Sequence, residues 1–98
     1  MQWKVKFTSR VKKGTRYLPD RIQERLYALA LEIRISGPER HSWPNYTKLK
    51  GEKDCYHCHL NKGKPTYVAV WKVTDREKGV VEIRYAGTHE NADYQRLC

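Results

Sequence analysis

From residue 55 to residue 86 the chain runs through three apolar/polar alternations separated only by two short turn sequences. Alternation with a period of two places successive side chains on opposite faces of a strand. Connections this short join neighbouring strands antiparallel, because a parallel return needs a crossover of a dozen residues or more. The stretch is therefore a three-strand meander. Its strands cover residues 55–60, 66–73 and 80–86, with turns over Asn61-Lys62-Gly63-Lys64-Pro65 and Asp75-Arg76-Glu77-Lys78-Gly79.

The first of these strands, Cys55-Tyr56-His57-Cys58-His59-Leu60, carries the chemistry. As a strand it shows Cys55, His57 and His59 on one face and Tyr56, Cys58 and Leu60 on the other. Two imidazoles side by side move protons near neutral pH. The same residues spell C-x-x-C-H, a haem-attachment pattern. That reading needs export and a distal ligand. The opening Met1-Gln2-Trp3-Lys4-Val5-Lys6 has no apolar signal core, and Met1 is the only methionine. A zinc site needs Cys55 and Cys58 together, whereas a strand points them apart, and His41 and Cys98 complete no set that the pattern suggests. No metal and no cofactor is expected.

The second strand puts Tyr67, Ala69, Trp71 and Val73 on one face and Val68, Val70 and Lys72 on the other. On the third, Val81, Ile83 and Tyr85 oppose Glu82, Arg84 and Ala86. Residues 2–7 alternate in the same way, with Trp3, Val5 and Phe7 inward. Thr8 and Ser9 cap a short basic helix that Gly14 ends. Leu18-Pro19-Asp20 opens a long helix whose apolar stripe is Ile22, Leu26, Leu29, Ala30 and Ile33, and Gly37-Pro38 stops it. Residues 38–54 form a connector pinned by Trp43 and Tyr46, with Leu49 as its one aliphatic anchor. A tail over residues 91–98 brings Tyr94 near His89. It is too short to cover a sheet face.

Ninety-eight residues make one domain, 1–98. The order strand, helices, meander defines an α+β domain with four strands, mostly antiparallel. The two N-terminal helices cover one face and leave the other as an open basic cleft. Lysine and arginine number 20 against 11 acids, a net charge of +9, and the partner such a charge indicates is a polyanion, nucleic acid first. Seven tyrosines and three tryptophans supply stacking surfaces beside that charge. Three cysteines without a signal peptide indicate a reducing cytoplasmic setting and free thiols. No run reaches the roughly 20 apolar residues of a membrane span.

Trp3-Lys4-Val5, Leu18-Pro19, Lys48-Leu49-Lys50-Gly51 before Cys55-Tyr56, the run from Tyr67 to Asp75, and Gly87-Thr88-His89 followed by Tyr94 together resemble the RelE/ParE superfamily of bacterial toxin–antitoxin toxins. The resemblance spans essentially the whole chain. It implies a RelE-like fold and a small basic toxin that cleaves messenger RNA on the translating ribosome, at the A-site region of 16S rRNA. A co-expressed acidic antitoxin would silence it. His57 and His59 fall where RelE-type toxins place two lysines, and His89 falls where they place an arginine. Tyr94 falls where an aromatic stacks on a base of the cut codon. This pattern is similar to the histidine-using, YafQ-like branch. Val68 stands where the lysine-rich branch has an arginine, and the hairpin lacks the acidic residue of some histidine-using relatives.

Metal-free RNA cleavage needs a base for the 2′-OH, an acid for the 5′-oxygen and positive charge on the phosphate. His57 or His59 is read as the base and His89 as the acid. Arg84, Lys48 and Lys50 are candidates for the phosphate, with nothing in the sequence to select among them, and Lys48, Lys50 and Lys53 for flanking RNA. The alternatives are a ParE-like inhibitor of DNA gyrase and a non-catalytic RNA-binding module.

Overall fold

A computed structural model of the chain describes residues 2–51 and 53–98, so Met1, on which part of the leader argument rests, lies outside the described residues. Strand β1 (Lys4–Phe7) is followed by helices α1 (Ser9–Thr15) and α2 (Asp20–Ser36). Then come strands β2 (Thr47–Lys48), β3 (Cys55–His59), β4 (Tyr67–Asp75) and β5 (Val80–Thr88). A 3₁₀ turn at His89–Asn91 and helix α3 (Tyr94–Leu97) close the described chain.

Local chemistry explains the helices. The Thr8 hydroxyl accepts the Val11 amide at 3.2 Å and caps α1. Gly14 lies within the last turn of α1 and does not end it, since the helix runs to Thr15. Pro19 precedes the first residue of α2, and Gly37 ends it at φ 98°, its amide donating to the Ile33 carbonyl at 2.8 Å. A β-carbon on Gly37 would also sit 3.2 Å from the Trp3 indole nitrogen, so both backbone angle and space call for glycine. Ile22, Leu26, Leu29 and Ile33 recur every three or four residues and are buried against the sheet. Burying one such side chain contributes roughly 1.5–3 kcal/mol.

The sheet runs β1-β5-β4-β3-β2. β1 lies parallel to β5, and every other neighbour pair is antiparallel. The expected four-stranded sheet is thus corrected to a five-stranded mixed one. The added strand is Thr47–Lys48, which has no alternation of its own and is extended because it pairs with His57 and Tyr56 of β3. The α2 side of the sheet presents Tyr56, Cys58, Ala69, Trp71, Val73, Val81 and Ile83 to the helix, and all belong to one core cluster. Trp43 and Tyr46 pin the connector as expected: Trp43 is buried and donates to Glu32 Oε1 at 3.0 Å, and Tyr46 stacks on Tyr56.

Strand β5 departs from the expected alternation. Val70 pairs with Tyr85, but Trp71 pairs with Ile83, so a bulge at Arg84 shifts the register. Ile83 stays in the core, while Tyr85 turns to the opposite face beside Val70, and Ala86 packs on the core in its place. β5 also continues through Gly87 and Thr88, which were expected in a loop, because Val68 and Tyr67 of β4 pair with them.

The face away from α2 is less open than the pattern implies. Val68 and Val70 lie on it with no exposed surface. The tail expected to leave this face bare folds back across it. Lys72 of β4 donates to the Cys98 carbonyl at 2.7 Å, Arg84 of β5 donates to the Leu97 carbonyl at 3.1 Å, and Cys55 of β3 is disulfide-bonded to Cys98. The expectation of free thiols is corrected for Cys55 and Cys98; Cys58 alone is free, and it is buried in the core. Among the described residues no helix is long and apolar enough to cross a membrane.

Candidate active site

Pairing in β3 fixes the first two site residues. His57 opposes Val70 and His59 opposes Val68, so both imidazoles stand on the face away from α2. Their ring centroids are 5.9 Å apart. β5 ends at Thr88, and the His89 amide donates to the Thr66 carbonyl at 2.8 Å, which fixes His89 beside the start of β4. Its ring lies 5.6 Å from His59. The tail sets the Tyr94 ring edge-on to His57 at 5.3 Å. Tyr94, His57, His59 and His89 therefore form one continuous row, and the structure brings together all four residues singled out from β3, the end of β5 and the tail.

The row is electrostatically graded. Burial is the main cause that holds His57 below the ordinary imidazole pKa; the charges of His59 and His89 add to it, and the Thr47 backbone opposes it. Its Nδ1 is buried without a hydrogen-bond partner. His59 is lowered by burial first and by His89 second. His89 is exposed at the end of the row. Two strand imidazoles are thus biased toward the neutral, proton-accepting form, beside a third that is open to solvent.

These shifts predict a pH-dependent stability. A histidine whose folded pKa lies below its unfolded value of 6.5 binds fewer protons when folded. Its stability contribution is complete above about 6.5 and is lost as pH falls from there through the lowered folded value. Thermal midpoints should decline over that window, and His57→Gln should flatten the decline. Asp54, held below the ordinary carboxylate range by its bond to Arg76, acts in a separate and more acidic window.

The basic candidates divide. Lys50 lines a recess of about 330 Å³ with Leu49, Gly51, Tyr94, Gln95 and Cys98, directly beside the row. Lys48 does not join it: its partner across β2–β3 is Tyr56, which faces the core, so the two-residue register turns Lys48 away from the histidines. Lys48 and Lys53 instead act on Asp54. Arg84 is on the histidine face but is committed, donating to Glu82 Oε1 at 2.8 Å and to the Leu97 carbonyl. The C-x-x-C-H residues are split by the sheet, with Cys58 in the core and Cys55 on the histidine face.

The sequence reading missed the contribution of Tyr85 and Gly87. The Tyr85 hydroxyl donates to the Thr88 carbonyl at 2.7 Å, next to His89. A β-carbon on Gly87 would lie 2.7 Å from that hydroxyl and 2.9 Å from the ring carbon bearing it. Gly87→Ala should swing the ring away, lose a hydrogen bond worth about 0.5–1.5 kcal/mol, and loosen His89. A lowered thermal midpoint, with His89 resonances shifted in NMR spectra, would register both effects. The other omission is the Cys55–Cys98 bond. Its signal was available, since Cys55 shares a face with His57 and Cys98 lies one helical turn beyond Tyr94.

A five-stranded mixed sheet of this order, with its first strand parallel to the last and two helices on one face, is the RelE-type toxin fold. The chain superposes on a free double arginine-to-alanine mutant of the E. coli toxin RelE with a TM-score of 0.74 and 28% identity, over 99% of this chain and 94% of that one. The archaeal RelE of the RelE–RelB complex from Pyrococcus horikoshii gives 0.73 at 21% identity, over 94% and 100%. The Staphylococcus aureus YoeB dimer gives 0.69 at 15%, over 91% and 99%. No protein-family model and no curated protein matches the sequence.

Proposed function

We propose that this chain is the toxin of a toxin–antitoxin pair and an endoribonuclease that cuts messenger RNA on the translating ribosome. The observation that carries the reading is the row His57–His59–His89, ending on Tyr94, on a RelE-type fold. In-line cleavage places the attacking 2′-oxygen and the leaving 5′-oxygen on opposite sides of the phosphorus. The row offers groups in that order. His57, the more buried imidazole, takes the 2′-OH proton. The 2′-oxygen attacks phosphorus, His59 faces the phosphate between, and His89 protonates the departing 5′-oxygen. The products are a 2′,3′-cyclic phosphate and a 5′-hydroxyl, and the next cycle needs only exchange of protons with water. Lys50 is the cation best placed to meet the scissile phosphate, with Tyr94 beside it to stack on a base. Lys48, Lys53 and Arg84 are assigned to flanking RNA or to the fold. On this reading the chain works in the manner of the histidine-using, YafQ-like branch.

An acidic antitoxin is the expected protein partner. RelE and YoeB of the similar structures are found in complex with RelB and YefM, and a net charge of +9 suits an acidic segment. The test is induced expression of wild type and His59→Ala in a bacterium, with primer extension across a translated messenger. Codon-phased cuts with wild type and none with His59→Ala are expected. Growth arrest without cuts would replace this reading with gyrase inhibition or RNA binding without cleavage.

A further inference from the structure

Three strands are tied to the C-terminal turn at one level of the sheet. Cys55, Lys72 and Glu82 pair with one another across β3, β4 and β5. At that level Cys55 bonds to Cys98, Lys72 donates to the Cys98 carbonyl, and Arg84, itself held by Glu82, donates to Leu97. Two residue pairs further along β3 and β4, on the same face, lie His57 and Val70, with Tyr94 set against the His57 ring. We propose that Cys55 and Cys98 are positioning residues for His57: their disulfide holds the turn across the sheet, and the turn lays Tyr94 over His57 and closes it from water.

The alternative anchors are weaker. The two hydrogen bonds end on the backbone carbonyls of Leu97 and Cys98, at the end of a four-residue helix, and such bonds typically contribute about 0.5–1.5 kcal/mol each, or somewhat more to a charged donor. The Tyr94 hydroxyl has no partner. α3 is one turn long, too short to persist without packing. The covalent bond, spanning a sequence separation of 43, is the only link that does not exchange with water. Among the described residues, the groups facing His57 are His59 on its own strand, the Thr47 backbone on β2, Tyr94 on the turn and His89 beyond β5, with Lys50 lining the recess beside Tyr94. Lys72 and Arg84 are held at the Cys55 level by the turn itself. Of these only Tyr94 depends on the disulfide.

The bond opens by ordinary exchange. A thiolate of a dithiol reductant attacks the Cys98 sulfur, which is part-exposed, and Cys55, which is fully buried, leaves as thiolate and takes a proton. The reductant's second thiol then displaces Cys98, so two electrons pass and the reductant ends as a disulfide. Cys58 does not compete, since burial pushes its thiol up to about 12 and it faces the core.

The inference rests on the ribonuclease reading for its catalytic meaning, but its structural content is tested without it. Full-length protein would be prepared oxidised, reduced with dithiothreitol, and as Cys98→Ser, with free thiols counted in each. The His57 ring would be titrated by NMR in all three, and single-turnover cleavage of a messenger on purified ribosomes followed against pH. The oxidised form should show one free thiol. Reduction and Cys98→Ser should both move the His57 midpoint up toward the ordinary imidazole value. Cleavage should slow on the acid side by about tenfold for each unit of that rise. An unchanged His57 midpoint, three free thiols in the oxidised preparation, or a rise in Cys98→Ser that reduction does not reproduce would each overturn the proposal. A midpoint that rises while no form cleaves RNA would instead overturn the ribonuclease reading and leave the positioning role standing.

Discussion

His57→Ala should lower single-turnover cleavage by about 10²–10⁴-fold, the usual contribution of one positioned proton transfer. The loss should appear in the chemical step with little change in ribosome affinity, because the half-buried His57 ring offers RNA little surface and the basic residues lie elsewhere. The acid limb of the pH profile should vanish with it. In wild type that limb marks protonation of a base whose pKa burial has lowered, so activity should persist below the pH at which a free imidazole protonates. His89→Ala should give a loss of the same order in the chemical step. If His57→Ala cleaves at the wild-type rate, His57 is not the base, and His59, next in the row and also biased neutral, takes its place.

The placement of the β3 residues of the candidate site was legible because strand parity is a strict rule. Once residues 55–60 are read as a strand, Cys55, His57 and His59 must share a face, and the pairing of β3 with β4 bears this out. His89 and Tyr94 drew their proposed roles only from the family resemblance; both join the row, but Tyr94 stands at the His57 end and not beside His89 as the chain order suggested. Where parity was broken by a local event, the reading failed. The bulge at Arg84 adds a residue to β5 without any mark in composition, and it moves Tyr85 from the core side to the histidine side. Thr47–Lys48 is extended only because β3 offers it partners, and that pairing turns Lys48 toward the Tyr56 side. The Cys55–Cys98 bond joins residues 43 apart in the chain, and no local pattern around either cysteine marks the pairing. The tail crosses this face tied by that bond and by the Lys72 and Arg84 hydrogen bonds to its last carbonyls.

Trp71→Ala should be the most damaging single change to stability. Trp71 has no exposed surface and is among the largest fully buried side chains. Its ring stacks with Tyr56 at 6.1 Å and 18°, and Tyr46 lies 6.2 Å away, so one indole joins β4, β3 and the connector. Its Nε1 also donates to the Pro38 carbonyl at 3.1 Å, tying the sheet to the end of α2. Truncating a buried tryptophan to alanine typically costs about 3–5 kcal/mol, from lost transfer energy and the cavity left behind. Set against the roughly 5–15 kcal/mol of a typical domain, that loss leaves a fold near its threshold. Urea unfolding should show a midpoint lowered in proportion, with the denaturant slope unchanged if the unfolded state is unaffected. Trp71→Phe separates the contributions: it keeps most of the ring but removes the donor, leaving the Pro38 carbonyl unpaired. A loss of about 1–3 kcal/mol is expected for that buried group. If Trp71→Phe were as damaging as Trp71→Ala, the bond to Pro38, and not the aromatic stack, would be what joins sheet to helix.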